Sequence, residues 1–274
     1  MKEVISSNSL FHFTSKLKYL KAILQEGFCP RYCLENFDTF KFLSGEDSME
    51  MAVPMVCFCD IPLSKVKTHV QMYGSYGVGL SKSWGNQAGI SPLFYISPES
   101  ATTNSIYSTI VYLLNNSRFG WDETLDRQYD RLLRLIRFTK PYEGRFFRRG
   151  KFLKSPVTFY NEREWRYIPD ITNRSSQILL TSLKPWLDKE TFLKMHREKD
   201  PEGTPLIQTL NRELQLYFPL MFDVSAVRYL ILKTESEVSQ LIRALKRQKT
   251  LFKPEEIDLI ASRIITKRQI FEDF

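Results

Sequence analysis

Apolar and polar positions run in short blocks along this chain, and the period of each block changes where strands give way to helices. Leu10-Phe11-His12-Phe13-Thr14 follows a polar leader and reads as a strand. Leu17, Leu20, Ile23 and Leu24 then recur at helical spacing, with Ser15 as N-cap, Gly27 as C-cap and Pro30 barring continuation. Residues 32–51 are polar and aperiodic, a loop over one face. Residues 53–60 predict a second strand, 63–72 a short helix closed at Gly74, and 76–81 a third strand whose glycines let a ligand or another backbone approach closely. A strand over 93–96 and a buried helix over 103–115 come next. Residues 122–138 form a basic helix, with Arg127, Arg131 and Arg134 on or near one face and Leu132, Leu133, Leu135 and Ile136 toward the core. A basic loop over 140–154 leads to a polar strand over 161–169 and a strand over 177–183. The span 186–205 has no clear period. Residues 227–232 predict a strand, 235–247 and 255–262 helices, and 263–265 a last strand.

This irregular alternation predicts one α+β domain over residues 1–274, with an extension starting near residue 176. It excludes a doubly wound parallel sheet, since no Gly-x-Gly-x-x-Gly opens a helix after the first strand. No stretch approaches the ~20 apolar residues of a membrane helix, and the N-terminus has no apolar signal core, which points to a cytoplasmic protein. Cys29/Cys33 and Cys57/Cys59 lack the spacing of a zinc knuckle, so they are expected to be free, mostly buried thiols, with no metal. The net charge of +8 and pI near 9.2 suit nucleic acid or an acidic partner. The basic residues between Arg127 and Lys154, interleaved with Phe138, Tyr142, Phe146 and Phe147, fit a backbone-holding, base-stacking surface. Arg131, Arg134, Arg145, Arg148 and Arg149 are its candidates. The alternatives are a solvated helix face beside an inward-packing aromatic loop, and a surface for an acidic protein.

The stretch Asn161-Glu162-Arg163-Glu164-Trp165-Arg166-Tyr167 puts Glu162, Glu164 and Arg166 on one strand face and Arg163, Trp165 and Tyr167 on the other. Such charges are unusual in a strand. They read either as a structural Glu–Arg pair or as a carboxylate that does chemistry. His12 taken alone is a structural strand histidine, and His69 and His196 read as solvated.

Several blocks carry a resemblance. Leu10-Phe11-His12-Phe13-Thr14-Ser15 with Leu20, Ile23, Leu24, Gly27, Phe28 and Pro30 resembles the opening of ADP-ribosyltransferase-like proteins, including DarT-type DNA-modifying toxins. Residues 56–63, Tyr73-Gly74-Ser75-Tyr76-Gly77-Val78-Gly79-Leu80-Ser81-Lys82 with Trp84, residues 159–167 and residues 227–231 resemble the AbiGi-type abortive-infection proteins of bacteria. The resemblance implies a split mixed sheet with flanking helices holding NAD. It implies His12 on the ribose, the Phe13 backbone on the nicotinamide amide, and Tyr76 stacked on the ring. Thr14 and Ser81 would lie nearby, Glu164 would be the catalytic carboxylate and Glu162 its helper. Some relatives place the aromatic after the Gly-x-Gly, where this chain has Leu80 and Ser81. Breaking the nicotinamide–ribose bond builds positive charge on the sugar, which a fixed carboxylate stabilises without a metal. The implied role is a phage-defence toxin that modifies DNA or RNA, with a cognate antitoxin and possible chaperone as partners. The alternative is a non-enzymatic antitoxin or partner-binding module, the label the AbiGi family carries.

Overall fold

A computed structural model describes residues 6–37, 50–117, 122–144, 147–148, 151–152, 154–171, 182–248 and 250–273. Its strands are β1 (Ser9–Thr14), β2 (Arg31–Asn36), β3 (Glu50–Cys59), β4 (Tyr76–Ser81), β5 (Ser91–Pro92), β6 (Phe94–Ile96), β7 (Thr139–Pro141), β8 (Glu143–Gly144), β9 (Phe147–Arg148), β10 (Lys151–Phe152), β11 (Val157–Thr158), β12 (Glu164–Tyr167), β13 (Leu187–Asp188), β14 (Val227–Leu232) and β15 (Ile264–Thr266). The helices are α1 (Leu17–Glu26), α2 (Lys67–Tyr73), α3 (Lys82–Gln87), α4 (Ala101–Ser117), α5 (Glu123–Ile136), α6 (Lys189–Arg197), α7 (Leu206–Tyr217), α8 (Ser236–Arg247), α9 (Pro254–Ala261) and α10 (Lys267–Asp273).

Among the described residues the principal sheet has nine strands in the order β15-β14-β4-β1-β3-β12-β5, with β2 and β13 also on β3. It is mixed: β14 and β15 run parallel, and the other pairs antiparallel. Helices flank it, as an α+β fold requires. Leu10, Val78, Leu80 and Leu230 pack against Leu20 of α1, Leu241 and Leu245 of α8 and Ile260 of α9. Phe11, Phe13 and Ile231 pack against Val70 of α2 and Ile270 of α10. A further cluster sets Met51, Val53 and Met55 of β3 against Ile110, Leu113, Leu132, Leu133 and Ile136. The arrangement agrees with the expected mixed sheet and flanking helices.

Local rules explain several boundaries. Gly27 ends α1 at φ 76°, a left-handed value that favours glycine, and a Cβ there would meet the Leu220 carbonyl oxygen at 2.7 Å. Asp122 caps α5 by accepting from the Thr124 and Leu125 amides at 2.8 and 2.7 Å. The glycines of β4 do admit a close approach, but by aromatic rings of β1. Phe13 lies over Gly77 and Phe11 over Gly79, where an added Cβ would sit 3.0 and 2.6 Å from their rings.

Four local expectations change. Ser15 is not the cap of α1, because Lys16 takes that position without a side-chain bond. The segment read as a loop from residue 32 begins with β2, whose Tyr32 and Leu34 are buried in alternation. Leu135 is 58% exposed instead of core, and α4 buries Thr103, Ile110 and Leu113 while most of its length faces solvent. α6 lies in the span 186–205 that lacked a clear period, and α7 follows it. The strand expected over 177–183 falls mostly outside the described residues.

Candidate functional site

β12 is shorter than the polar stretch suggested. Residues Phe159–Glu162 form a 3₁₀ turn, and Arg163 follows in the left-handed region at φ 45° before the strand starts at Glu164. Glu162 therefore does not reach the site by strand alternation. The turn delivers it beside Glu164, and one lysine holds both. Lys140, from β7, donates to Glu162 Oε2 at 2.9 Å and to Glu164 Oε2 at 2.7 Å. Arg166 donates through Nε to Glu164 Oε1 and through Nη2 to Glu35 Oε2, both at 2.6 Å, and through Nη1 to the Arg137 carbonyl at 3.1 Å. Tyr73 Oη donates to Glu162 Oε1 at 2.7 Å. Three carboxylates and two cations thus form one network with a formal charge of −1. Arg166 is fully buried.

The electrostatics follow from this geometry. Burial alone would raise the Glu164 pKa, but Arg166 and Lys140 overcome it and hold the carboxyl well below its usual range. Burial works against the charged form of Lys140, yet Glu164, Glu35 and Glu162 keep it protonated with a raised pKa. Each oxygen of Glu164 is bonded to a different cation.

β1 and β3 share a single registered pair, Phe11 with Cys59, and Cys59 in turn pairs with Glu164. Phe11 and Glu164 therefore face the same way, and His12, one residue on, faces the other. His12 nevertheless lines the same cavity as Glu164. Its Nδ1–H donates to the Cys57 carbonyl at 2.8 Å, and the ring lies edge-on to Phe28 and Phe58. Burial lowers its pKa against the opposing pull of that bond, so the neutral ring leaves Nε2 as an acceptor.

His12, Phe13, Glu162 and Glu164 border one cavity of about 450 Å³, joined there by Glu35, Tyr73, Lys140 and His196. Tyr76, Thr14 and Ser81 are not among its lining residues. The Tyr76 hydroxyl donates to Glu237 at 2.7 Å, and its ring packs with α1 and α8 on the far face of the sheet. Thr14 pairs with Tyr76 at the end of β1. Ser81 caps α3 by accepting from the Trp84 amide. The aromatic that meets the carboxylates is Tyr73.

Of the expected basic surface, Arg131 is exposed on α5, and Arg134 bonds Asp170 at 2.9 Å. Arg148 lies in β9 with its side chain outside the description, and Arg145 and Arg149 lie outside the described residues. His69, read as solvated, is buried. His196 is exposed, yet it lines the mouth of the cavity. Cys33, Cys57 and Cys59 are thiols near the site that burial holds protonated, with Cys33 pushed up to about 12. Among the described residues, no group of three or more His, Cys, Asp or Glu side chains is placed to hold a metal, and no helix is long and apolar enough to cross a membrane.

The donor set fits NAD poorly. His12 and the aromatic rings of Phe13 and Tyr73 could hold a ribose and a flat ring. A pyrophosphate is held by cations or by backbone N–H groups, commonly at a helix N-terminus, and Lys140 is the one Lys or Arg among the described lining residues. It is already committed to carboxylates.

Comparison with known proteins places the chain. A family described as "Putative abortive phage resistance protein AbiGi, antitoxin" matches residues 26–233. The chain is also 31% identical over 263 residues to "Abortive phage resistance protein AbiGi" from Lactococcus lactis subsp. cremoris, covering 90% of this chain and 99% of that protein. The chain belongs to the AbiGi family of abortive phage resistance proteins. No solved structure matches it.

Proposed function

We propose that this chain serves phage defence as a non-enzymatic, partner-binding component, in the manner of an antitoxin, and that its buried charge network is structural. The observation that carries this reading is the saturation of Glu164. A transferase carboxylate must turn its negative charge toward the ribose as positive charge develops. Here one oxygen accepts from Arg166 and the other from Lys140, in a group 6% exposed. The compensated charge ties β2, β7 and β12 together and has little field left for a substrate. The family description, with its word antitoxin, supports the same reading. A cognate protein has apolar surface to meet: Phe94 and Leu135 are 61% and 58% exposed, and Phe94 hydrogen-bonds the end of the α5 segment through the Phe138 carbonyl. The test is controlled expression. The chain alone should leave growth unchanged and should rescue cells expressing the toxic protein of the same defence system. Toxicity of this chain by itself overturns the reading.

A second reading, NAD-dependent ADP-ribosyl transfer to a nucleic acid, keeps one observation in its favour. His12 of β1 and the neighbouring Glu162 and Glu164 at the start of β12, far apart in sequence, border a single cavity. It predicts labelling of nucleic acid from NAD, which the first reading excludes.

A further inference from the structure

A second cavity, of about 820 Å³, lies on the other side of His69 and Glu162, which line both. Its wall also includes Lys65, Thr68, Asn161, Tyr160 and Arg163. Three features suggest what it takes. His69 is 93% buried by its 7% exposure, and neither ring nitrogen has a partner of hydrogen-bond geometry. Buried polar atoms are ordinarily paired, and His69, on the cavity wall beside the Glu162 backbone, would need only a turn of its ring to present a nitrogen to a ligand there. Burial lowers the His69 pKa over the opposing influence of the Glu162 carboxylate and backbone, leaving a neutral ring with one donor and one acceptor.

Tyr160 is the second feature. It is half exposed, and its ring stacks on the equally exposed Tyr142 at 5.7 Å between centroids and 26° between planes. Tyr95 meets Tyr160 edge-on and accepts the Glu164 amide through its hydroxyl at 2.8 Å, so the stacked pair is anchored to β12. A rigid pair of exposed tyrosines offers a flat π-surface of the kind that unpaired bases stack on. The third feature is the wall around them. Asn161 adds an amide with donors and acceptors, and Lys65 and Arg163 add positive charge beside it in a chain of net charge +8. Arg163 is held at φ 45°, the one left-handed non-glycine among the described residues, and backbone strain of this kind gathers at ligand sites.

We propose that this cavity binds an unpaired nucleobase of a single-stranded nucleic acid, stacked on Tyr160 and read at its edge by His69 and Asn161, with Lys65 and Arg163 toward the phosphates. The site shares Tyr142 with the loop after α5, but its wall is built from the residues around Lys65 and Tyr160 and not from the arginines of α5. It needs no NAD and stands under either functional reading. A base inside a duplex cannot stack on Tyr160 without leaving its helix, so single strands should be preferred.

The test is fluorescence anisotropy with the full chain and no NAD, using short fluorescein-labelled single strands of DNA and RNA and the same DNA as a duplex. The single strands should bind, and the duplex more weakly. Tyr160→Ala should weaken single-strand binding about tenfold, the loss of one stacked base, and Tyr160→Trp should retain it. His69→Phe should weaken binding, with His69→Gln keeping more of it than His69→Phe. Thermal melting of each variant separates loss of binding from loss of fold. Absence of binding by every strand, equal binding by Tyr160→Ala and wild type, or a Tyr160→Ala defect confined to a protein partner overturns the proposal.

Discussion

Replacing Arg166 with methionine removes the cation at the centre of the buried network while roughly keeping its volume. Arg166 is fully buried and makes three bonds, to Glu164, Glu35 and the Arg137 carbonyl. Without it, three carboxylates share Lys140, and the network's formal charge goes from −1 to −2. Removing one partner of a buried ion pair costs about 3–5 kcal/mol, against a total stability on the order of 5–15 kcal/mol. For a chain of this size that corresponds to a fall in melting temperature on the order of 10 °C. The pH dependence gives a sharper sign. In wild type the Glu164 pKa is depressed below its ordinary 4.5, so its contribution is present above that pH and lost as pH falls through the depressed value. In Arg166→Met the dominant remaining influence is burial, which raises the pKa. The carboxyl then favours the folded state when protonated, and that advantage is lost as pH rises through the raised value. Urea denaturation of both proteins at about pH 5 and pH 8 should therefore show a larger difference at the higher pH. Histidine contributions are common to both proteins and cancel in the difference. A loss under about 1 kcal/mol, or a difference that does not change with pH, would refute the assignment of a buried ion pair between Arg166 and Glu164, because exposed pairs give values of that size.

Other substitutions test other parts of the structure. Tyr76→Phe should cost about 0.5–1.5 kcal/mol through its lost bond to Glu237, which calorimetric melting checks. Gly79→Ala should destabilise by about 1–3 kcal/mol, since its Cβ would press on the buried Phe11 ring at 2.6 Å, as urea denaturation would show. His12→Ala should cost about 1–3 kcal/mol by leaving the Cys57 carbonyl unpaired across the gap between β1 and β3. Because burial depresses the His12 pKa, wild type should lose stability as pH falls below the ordinary 6.5 and through the depressed value. The His12→Ala curve, measured in parallel, should lack that share of the loss.

The elements visible in the sequence were those whose period or punctuation is local. β1, β4 and β14 stand out as apolar runs, Gly27 marks the end of α1, and Asp122 marks the start of α5. β2 carried a usable signal in the alternation of Tyr32 and Leu34, masked by the polar residues around it. The site was only half legible. His12, Glu162 and Glu164 border one cavity, but the residues that define its electrostatics, Lys140, Glu35 and Tyr73, have no local mark. Lys140 sits in a basic stretch that reads as surface, and only the fold sets it between two carboxylates. Tyr76 was the natural aromatic beside the glycines, yet strand alternation turns it to the opposite face and leaves Tyr73 at the site. His69 looked like any polar residue on a short helix. Its burial depends on Phe13 and Tyr73 closing over it, as their rings do at 6.5 and 5.8 Å between centroids.

The central claim is that Glu164 is a charge-compensated structural carboxylate in a partner-binding protein. Incubating the purified chain with labelled NAD and separate pools of DNA, RNA and protein tests it most directly, with Glu164→Gln in parallel. The account predicts no transfer of label by either protein and no loss of NAD. Labelling by wild type that disappears in a folded Glu164→Gln would contradict it and establish the transferase reading.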